Sequence, residues 1–250
     1  MVKNRALEKM RAGRPAFGLS MGTSDPIVAE LFARSGVDWI WIDDQHGGYG
    51  RESVLSIIQI ATPYGVSPIV RVASNDFFRI GRSLDAGALG VIVPMVNSAA
   101  EAEQAVFAAK YPPRGGRSRG GARLVMLGED YSDTANEGTL VSVQIETPEA
   151  VERAGEIAAI DGIDCLMMGP ADLALGLGVP QGSDEHETAM MRVLEQATAA
   201  GKTAGMPCAT VEDGIRWAEE GFKLVHCGSE FGMVRAGIQH VQKALGIAPA

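Results

Sequence analysis

The sequence predicts an α/β protein whose eight βα units close into a (β/α)8 barrel, also called a TIM barrel. Its 250 residues have the usual length of such a barrel built as one domain. Short apolar segments alternate with longer amphipathic segments along the whole chain. Many of the amphipathic segments end at a glycine, as helices with left-handed C-terminal caps do. We therefore expect a single domain over residues 1–250.

Eight apolar segments are predicted to be strands. Several are continuously apolar, for example Ile40-Trp41-Ile42, as parallel strands covered on both faces are. The predicted strands are Ala16–Met21, Trp39–Asp43, Pro68–Val72, Gly90–Met95, Val141–Glu146, Cys165–Gly169, Thr203–Pro207 and Lys223–Gly228. An open doubly wound sheet is the competing fold. No GxGxxG motif follows the first strand, which weakens the dinucleotide-binding version of that alternative.

Helix starts and ends are marked by residues with known capping preferences. Asp25-Pro26 and Thr147-Pro148 each place a capping side chain before a proline, and Ser98 precedes an Ala- and Glu-rich segment. The glycines expected to end helices are Gly36, Gly65, Gly87, Gly162, Gly201 and Gly221. One stretch, residues 111–121, interrupts the alternation. Its composition fits either a solvated surface loop or a loop at the active site or a subunit interface.

Composition excludes several classes of partner. The formal net charge of −9 argues against nucleic acid, although residues 114–123 form one short basic stretch. No apolar run approaches the ~18 residues of a membrane span, and no apolar signal segment follows the N-terminal residues. Cys165, Cys208 and Cys227 each lie in an apolar run and are expected to be buried thiols rather than disulfides or metal ligands. A cytoplasmic location is expected.

Polar residues collect where the predicted strands end. In a barrel these ends open onto one face, where the active site lies. Glu146 and Asp172 are carboxylates at two adjacent strand ends, without a cysteine or histidine cluster, which suits a hard cation such as Mg²⁺ or Mn²⁺. For either carboxylate alone, a helix cap or an arginine partner is the better explanation. Their matching positions favour the metal.

Two further side chains are candidates for catalysis. Arg71 lies inside an apolar strand and needs an anion, which is either a structural carboxylate or a substrate oxygen that becomes negative. His46 follows the second strand on a glycine-bounded loop and is a candidate general acid or base, with Asp43 orienting its ring. A surface-loop histidine is the alternative. His186 and His240 are expected to face solvent, whereas His226 lies in the last strand and fits no known motif.

The turn Gly169-Pro170-Ala171-Asp172 leads into a helix. The backbone N–H groups of Ala171 and Asp172 at such a start are suited to hold a carboxylate.

Together these motifs resemble those of the metal-dependent (class II) pyruvate aldolases. This family includes the 4-hydroxy-2-oxoheptanedioate and 2-dehydro-3-deoxyglucarate aldolases. The resemblance covers nearly the whole chain. The motifs that carry it are Asp43-x-x-His46, Val70-Arg71-Val72 with Asn75-Asp76, Val93-Pro94-Met95-Val96, Tyr111-Pro112-Pro113-Arg114-Gly115, Gln144-x-Glu146-Thr147 and Gly169-Pro170-Ala171-Asp172-Leu173.

The resemblance implies a barrel of the phosphoenolpyruvate/pyruvate-domain type with a C-terminal helix swapped between subunits, usually in a homohexamer built as a trimer of dimers. It implies reversible cleavage of a 4-hydroxy-2-oxo acid to pyruvate or hydroxypyruvate and an aldehyde. Each of the site residues then receives a role. Glu146 and Asp172 would hold Mg²⁺, Mn²⁺ or Co²⁺, Arg71 would stabilise the enolate oxygen, His46 with Asp43 would manage the hydroxyl proton, and Gln144, Gly169, Ala171 and Asp172 would bind the 2-oxo acid.

The chain departs from the best-known members at two places. It reads Asp43-Asp44-Gln45-His46 where they read Asp-Gly-Glu-His, and its eighth strand ends Gly228-Ser229-Glu230. Both departures bear on substrate choice more than on reaction class. The alternatives are an oxaloacetate decarboxylase or a CoA-ester lyase with the same metal and enolate chemistry, and an inactive barrel that serves as a scaffold.

Overall fold

The computed structural model describes residues 2–48 and 50–248. Eight parallel strands pair in sequence order, and β8 pairs with β1, so the sheet is a closed barrel. This confirms the predicted (β/α)8 fold. The strands are β1 Ala16–Met21, β2 Trp39–Asp43, β3 Ser67–Arg71, β4 Gly90–Val93, β5 Leu140–Ile145, β6 Cys165–Met168, β7 Thr203–Cys208 and β8 Leu224–Ser229.

Helices surround the barrel, and their capping follows the sequence. The side chains of Asp25, Ser98 and Thr147 accept backbone N–H groups at the helix starts that they were predicted to cap. All six glycines predicted to end helices have positive φ. The helices are α1 Arg5–Arg11, α2 Pro26–Arg34, α3 Arg51–Ala61, α4 Phe77–Asp85, α5 Ala99–Ala109, α6 Tyr131–Gly138, α7 Pro148–Glu152, α8 Ala154–Ala158, α9 Pro170–Leu177, α10 Asp184–Ala199, α11 Val211–Glu220 and α12 Glu230–Leu245.

The hydrophobic core has two layers. An outer layer lies between the strands and the helices. An inner layer fills the barrel with Trp39, Trp41 and Met167, and Leu7 and Met10 of α1 close its amino-terminal end. Because that end is plugged, only the carboxyl ends of the strands are open to small molecules. Within the described residues, no helix combines the length and apolar character needed to cross a membrane.

The stretch 111–121 is not a solvated surface loop throughout. Arg117 is buried, binds Asp85 at 2.8 Å and the Tyr131 hydroxyl at 3.0 Å, and lies over the Tyr111 ring. The loop then continues into a 3₁₀ helix, Leu124–Leu127, and α6. Its centre is therefore fixed by a buried ion pair, and only its flanks are exposed.

Helix α12 is the exception among the outer helices. Only Glu230 of its residues is buried. Five exposed apolar residues recur along it at steps of three and four, so they form one stripe on the helix surface. This α12 stripe consists of Phe231, Val234, Ile238, Val241 and Leu245.

Candidate functional site

A cavity of about 250 Å³ lies at the carboxyl end of the barrel; we call it the inner cavity. Six of the eight residues predicted for the site line it, and they come from strands far apart in the sequence. Its lining residues are Ser20, Trp41, Asp43, Arg71, Gln144, Gly169, Pro170, Ala171, Asp172, Pro207 and His226. The convergence predicted from the strand ends is thus present in the fold.

Glu146 and Asp172 form a pair of carboxylates beside this cavity. The Glu146 side chain is buried, and its Oε1 accepts the Met95 N–H at 2.7 Å. Burial raises the pKa of Glu146, and the nearby carboxylate of Asp172 raises it further. No ion pair to Glu146 or Asp172 occurs within the described residues, although the charge of Arg71 acts on Glu146 from a distance and opposes the rise in its pKa.

The chemistry of this pair would suit a divalent cation. Two carboxylates that oppose each other's ionisation are stabilised by a positive ion between them. No cluster of three or more His, Cys, Asp or Glu side chains suited to a metal is found among the described residues. Two protein ligands leave most of the coordination positions to water and substrate oxygens, which is the usual arrangement for Mg²⁺.

The backbone of Gly169 lies very close to the Glu146 side chain. A Cβ on Gly169 would lie 2.3 Å from the Glu146 Cβ and 2.5 Å from its Oε2. Met95, the residue that donates to Glu146, has φ +56°, and it is the one non-glycine described residue with positive φ. Such a conformation is uncommon and is found often at functional sites.

Arg71 has the structural carboxylate that was considered as its partner. Its Nε and Nη2 bind Asp43 Oδ1 and Oδ2 at 2.8 and 2.6 Å, and its guanidinium lies 5.1 Å from the Trp41 ring centre. Burial opposes ionisation of Asp43, but the hydrogen bonds and charge of Arg71 outweigh it, so the pKa of Asp43 lies below its ordinary value. The structural ion pair exists, and it aims the guanidinium at the inner cavity.

The predicted support of the His46 ring by Asp43 is not what the structure shows. Asp43 Oδ1 accepts the backbone N–H groups of Gln45 and His46 at 3.2 and 3.3 Å, so it fixes the loop and not the imidazole. The reason is that Arg71 occupies both carboxylate oxygens. His46 is exposed, and Asp44 lines a separate cavity with Arg79.

Gln144 is buried in the wall of the inner cavity. Its Oε1 has no hydrogen-bond partner among the described residues. An unpaired buried amide is costly unless a ligand or water completes it. That Gln144 lies beside a bound 2-oxo acid stays a prediction.

His226 is a residue whose place the sequence left open. Its Nδ1 accepts the Cys208 N–H at 3.1 Å, which leaves the proton on Nε2, and its ring packs against Trp41. Burial lowers the pKa of His226 to about 4. A neutral imidazole therefore forms part of the inner cavity.

The expectation that His186 faces solvent is wrong, whereas His240 is exposed as predicted. His186 is 1% exposed, its Nδ1 accepts the Gly182 N–H at 3.1 Å and its Nε2 lies 2.8 Å from the Pro170 carbonyl oxygen. It thereby fixes the start of α9, which carries Asp172.

The three cysteines are buried as predicted.

A second cavity, of about 630 Å³, adjoins the inner one; we call it the outer cavity. The two share Ser20 and Asp43. The outer cavity is lined by Ser20, Met21, Gly22, Thr23, Ser24, Asp43, His46, Gly47, Gly48, Ser229, Glu230 and Phe231. Residues 111–121, which fit either a surface loop or a loop at the active site or a subunit interface, line neither cavity of their own chain.

A protein-family model described as HpcH/HpaI aldolase/citrate lyase matches residues 17–236 of the chain. Among curated proteins, the chain is 35% identical to hydroxypyruvate/pyruvate aldolase of Delftia acidovorans, over 90% of this chain and 86% of that protein. It is 36% identical to 4-hydroxy-2-oxo-heptane-1,7-dioate aldolase of Salmonella newport, over 98% and 96% of the two chains.

The solved structures agree. A crystal structure of an HpcH/HpaI aldolase/citrate lyase family protein from Burkholderia cenocepacia J2315 superposes with a TM-score of 0.88 at 30% identity. The match covers 97% of this chain and 99% of that one.

Proposed function

The chain belongs to the HpcH/HpaI aldolase/citrate lyase family and is a carbon–carbon lyase, and from this premise we propose a specific reaction for its site. The reaction is reversible, metal-dependent aldol cleavage of a 4-hydroxy-2-oxo acid to pyruvate or hydroxypyruvate and an aldehyde. One observation carries the proposal: Asp172, the Arg71 guanidinium and the Gln144 amide line a single cavity, and Glu146 lies against Gly169 in its wall.

Glu146 and Asp172 are the residues that would hold the metal. A bound divalent cation supplies positive charge beside the carboxylate and keto oxygens of the 2-oxo acid. Arg71 stabilises the same keto oxygen as negative charge develops on it, because Asp43 holds the guanidinium in place. The Gln144 side-chain NH2 donates to an oxygen of the 2-oxo acid, and the N–H groups of Ala171 and Asp172 at the start of α9 hold its carboxylate.

His46 completes the proposal as the residue that moves a proton at the C4 hydroxyl. In cleavage that proton leaves the hydroxyl, the C3–C4 bond breaks, and C4 becomes the carbonyl carbon of the aldehyde. The electron pair stays on C3 of the 2-oxo acid, which then takes up a proton. His46 lies at the outer cavity with Asp43 between it and Arg71, which supports this division of work.

A homohexamer built as a trimer of dimers is also proposed, with α12 exchanged between subunits. Exposed apolar side chains occur on α2 and α11 as well, at Ile27, Leu31, Val211 and Ile215. These helices flank the position where an eighth outer helix covers β8 and β1. An α12 from a second copy would bury both surfaces. A reducing compartment such as the cytoplasm is supported by the three free cysteines.

The test is pyruvate release from a panel of 4-hydroxy-2-oxo acids, with the metal removed by chelation and then restored as Mg²⁺, Mn²⁺ or Co²⁺. Turnover should require the metal, and Glu146→Gln and Asp172→Asn should abolish both turnover and metal binding. Glu152→Gln, at an exposed position on α7, is the matched control and should resemble the wild type. Failure on every 4-hydroxy-2-oxo acid, together with cleavage of malyl-CoA or decarboxylation of oxaloacetate alone, would refute the aldolase.

A further inference from the structure

The outer cavity is positioned to receive the aldehyde half of the substrate, an assignment that rests on the proposed function. It shares Ser20 and Asp43 with the inner cavity, so a molecule whose 2-oxo acid end lies at Arg71 extends into it past His46. Its volume of about 630 Å³ accommodates a short carbon chain with room for water. The chemistry of its wall therefore bears on which aldehyde the enzyme accepts.

The wall is rich in groups that bind hydroxyls. Four hydroxyl side chains line it: Ser20, Thr23, Ser24 and Ser229. The Thr23 Oγ1 is buried and has no hydrogen-bond partner among the described residues. Hydroxyl groups suit such a wall because each of them both donates and accepts.

Glu230 gives the wall its charge. It is 5% exposed, and its Oε1 accepts the N–H groups of Gly22 and Thr23 at 2.5 and 2.7 Å. Its Oε2 is also buried, but it has no partner in the described parts of the chain. A buried carboxylate oxygen without a donor is expensive, so a ligand that donates a hydrogen bond gains from reaching it.

Glu230 forms no ion pair with a lysine or arginine in the described parts of the chain. Neither lysine nor arginine is among the described residues that line the outer cavity. An aldehyde with a carboxylate tail would set a second negative charge near Glu230 in a partly buried space, where screening by water is weak. A neutral aldehyde with hydroxyl groups meets no such repulsion.

We propose that the outer cavity selects a short, neutral, hydroxylated aldehyde, such as glyceraldehyde or glycolaldehyde, and that Glu230 is the residue that sets this preference. In the direction of synthesis, C3 of pyruvate loses a proton and bonds to the aldehyde carbon, and the aldehyde oxygen gains a proton. The hydroxyls next to that carbon donate to Glu230 and bond with Thr23. An acidic semialdehyde is disfavoured by the carboxylate, and an unsubstituted aldehyde leaves Oε2 unpaired.

The wild-type enzyme provides the first test. Aldol addition of pyruvate to glyceraldehyde, propanal and succinic semialdehyde is compared by kcat/KM with the same metal. Glyceraldehyde should exceed each of the other two by about tenfold or more, since sites that pair a substrate hydroxyl discriminate strongly against analogues without it. A preference for succinic semialdehyde would overturn the proposal.

Glu230→Gln is the sharper test, because it keeps an oxygen for the N–H groups of Gly22 and Thr23 while it replaces Oε2 by an uncharged donor. The ratio of kcat/KM for glyceraldehyde to that for succinic semialdehyde should fall by about tenfold or more, with a gain for the semialdehyde. Glu195→Gln, at an exposed position on α10, should leave the ratio unchanged. If Glu230→Gln changes all three aldehydes by one common factor, Glu230 has only a structural role and the proposal fails.

One measurement separates this inference from the proposed function. Exchange of the C3 protons of pyruvate in D2O, followed by NMR on the wild-type enzyme, needs enolate formation but no aldehyde. Metal-dependent exchange together with a semialdehyde preference would refute the selectivity alone. Absence of exchange would refute the proposed function and this inference with it.

Discussion

At the scale of single residues, Arg71 meets two opposed requirements. A guanidinium on a barrel strand must be paired with an anion, yet a catalytic cation must keep donors for the substrate. Asp43 takes Nε and Nη2, and Trp41 covers one face of the group. The remaining N–H groups have no partner among residues 2–48 and 50–248. A fixed cation with spare donors is what electrostatic stabilisation of an enolate oxygen requires.

Arg71→Ala should lower kcat by about 10²–10³-fold, the usual effect of removing one group that stabilises a developing oxyanion. Arg71→Lys should recover only part of this loss, because an ammonium cannot hold Asp43 through two hydrogen bonds. Metal affinity, measured by calorimetry with Mn²⁺, should change little. Arg34→Ala on exposed α2 is the matched control. A kcat near that of the wild type in Arg71→Ala would rule out the proposed role.

His226 predicts how stability depends on pH. Burial lowers the pKa of His226 to about 4 from an ordinary value of 6.5, so the unfolded chain binds its proton more readily than the folded chain does. The contribution of neutral His226 is therefore complete above about pH 6.5 and is lost as the pH falls towards 4. The loss approaches roughly 3 kcal/mol at the acid end.

The measurement is Tm between pH 7.5 and pH 4.5 for the wild type and His226→Gln. The variant should lose less Tm than the wild type over this range, although it starts lower because the Cys208 N–H loses an imidazole acceptor. His240→Gln, at an exposed site, should follow the wild-type curve. Parallel curves for His226→Gln and the wild type would contradict the prediction.

At the scale of elements, the junction of β6 with α9 brings Asp172 to Glu146. Three features build it: Gly169 removes a side chain, Pro170 begins the helix, and His186 of α10 binds the Pro170 carbonyl at 2.8 Å. Only the first two are visible in the sequence. The spacing from Pro170 to His186 is not a helical one, and the contact exists because α10 packs beside α9.

Gly169→Ala should disturb the metal site, because the added Cβ would lie 2.3 Å from the Glu146 Cβ. Overpacking of this kind costs roughly 1–3 kcal/mol of stability and moves the neighbouring groups. We expect Mn²⁺ affinity to fall by at least about tenfold in calorimetry. Gly81→Ala in α4 is the matched control, since its Cβ would meet no atom within 4 Å. Equal Mn²⁺ affinity in both variants would show that Gly169 is not needed for close approach.

Most strands and helices could be predicted from the sequence. Strand ends agree with the prediction within two residues because parallel barrel strands are continuously apolar and bounded by polar turns. Helix α6 was missed because its sequence, YSDTANEG, has few strong helix formers and is held by the burial of Tyr131 and Ala135. From the sequence, Glu230 was only a difference from the best-known family members, and its contacts could not be predicted. Its partners, Gly22 and Thr23, become its neighbours only when β8 pairs with β1.

At the scale of the whole molecule, the barrel is closed but its outer layer is incomplete. The helices that connect successive strands bury apolar faces against the sheet. The α12 stripe remains exposed, as do Ile27 and Leu31 on α2 and Val211 and Ile215 on α11. Exposed apolar surfaces of this extent are unusual on a monomer. Exchange of α12 between two copies would complete both outer layers at once and would also fix Glu230, the first residue of α12, at the outer cavity.

Charges placed on the α12 stripe should therefore separate the subunits. The double variant Ile238→Glu with Val241→Glu puts two carboxylates where we propose an apolar contact, and burying unpaired charges there is prohibitive. Size-exclusion chromatography with light scattering should show a smaller particle than the wild type, with a lower Tm. Gln239→Glu with His240→Glu adds a similar charge to the same turn outside the stripe and should keep the wild-type mass. If the wild type is itself monomeric, or if both double variants have the wild-type mass, the stripe is not a subunit contact and the exchange of α12 is excluded.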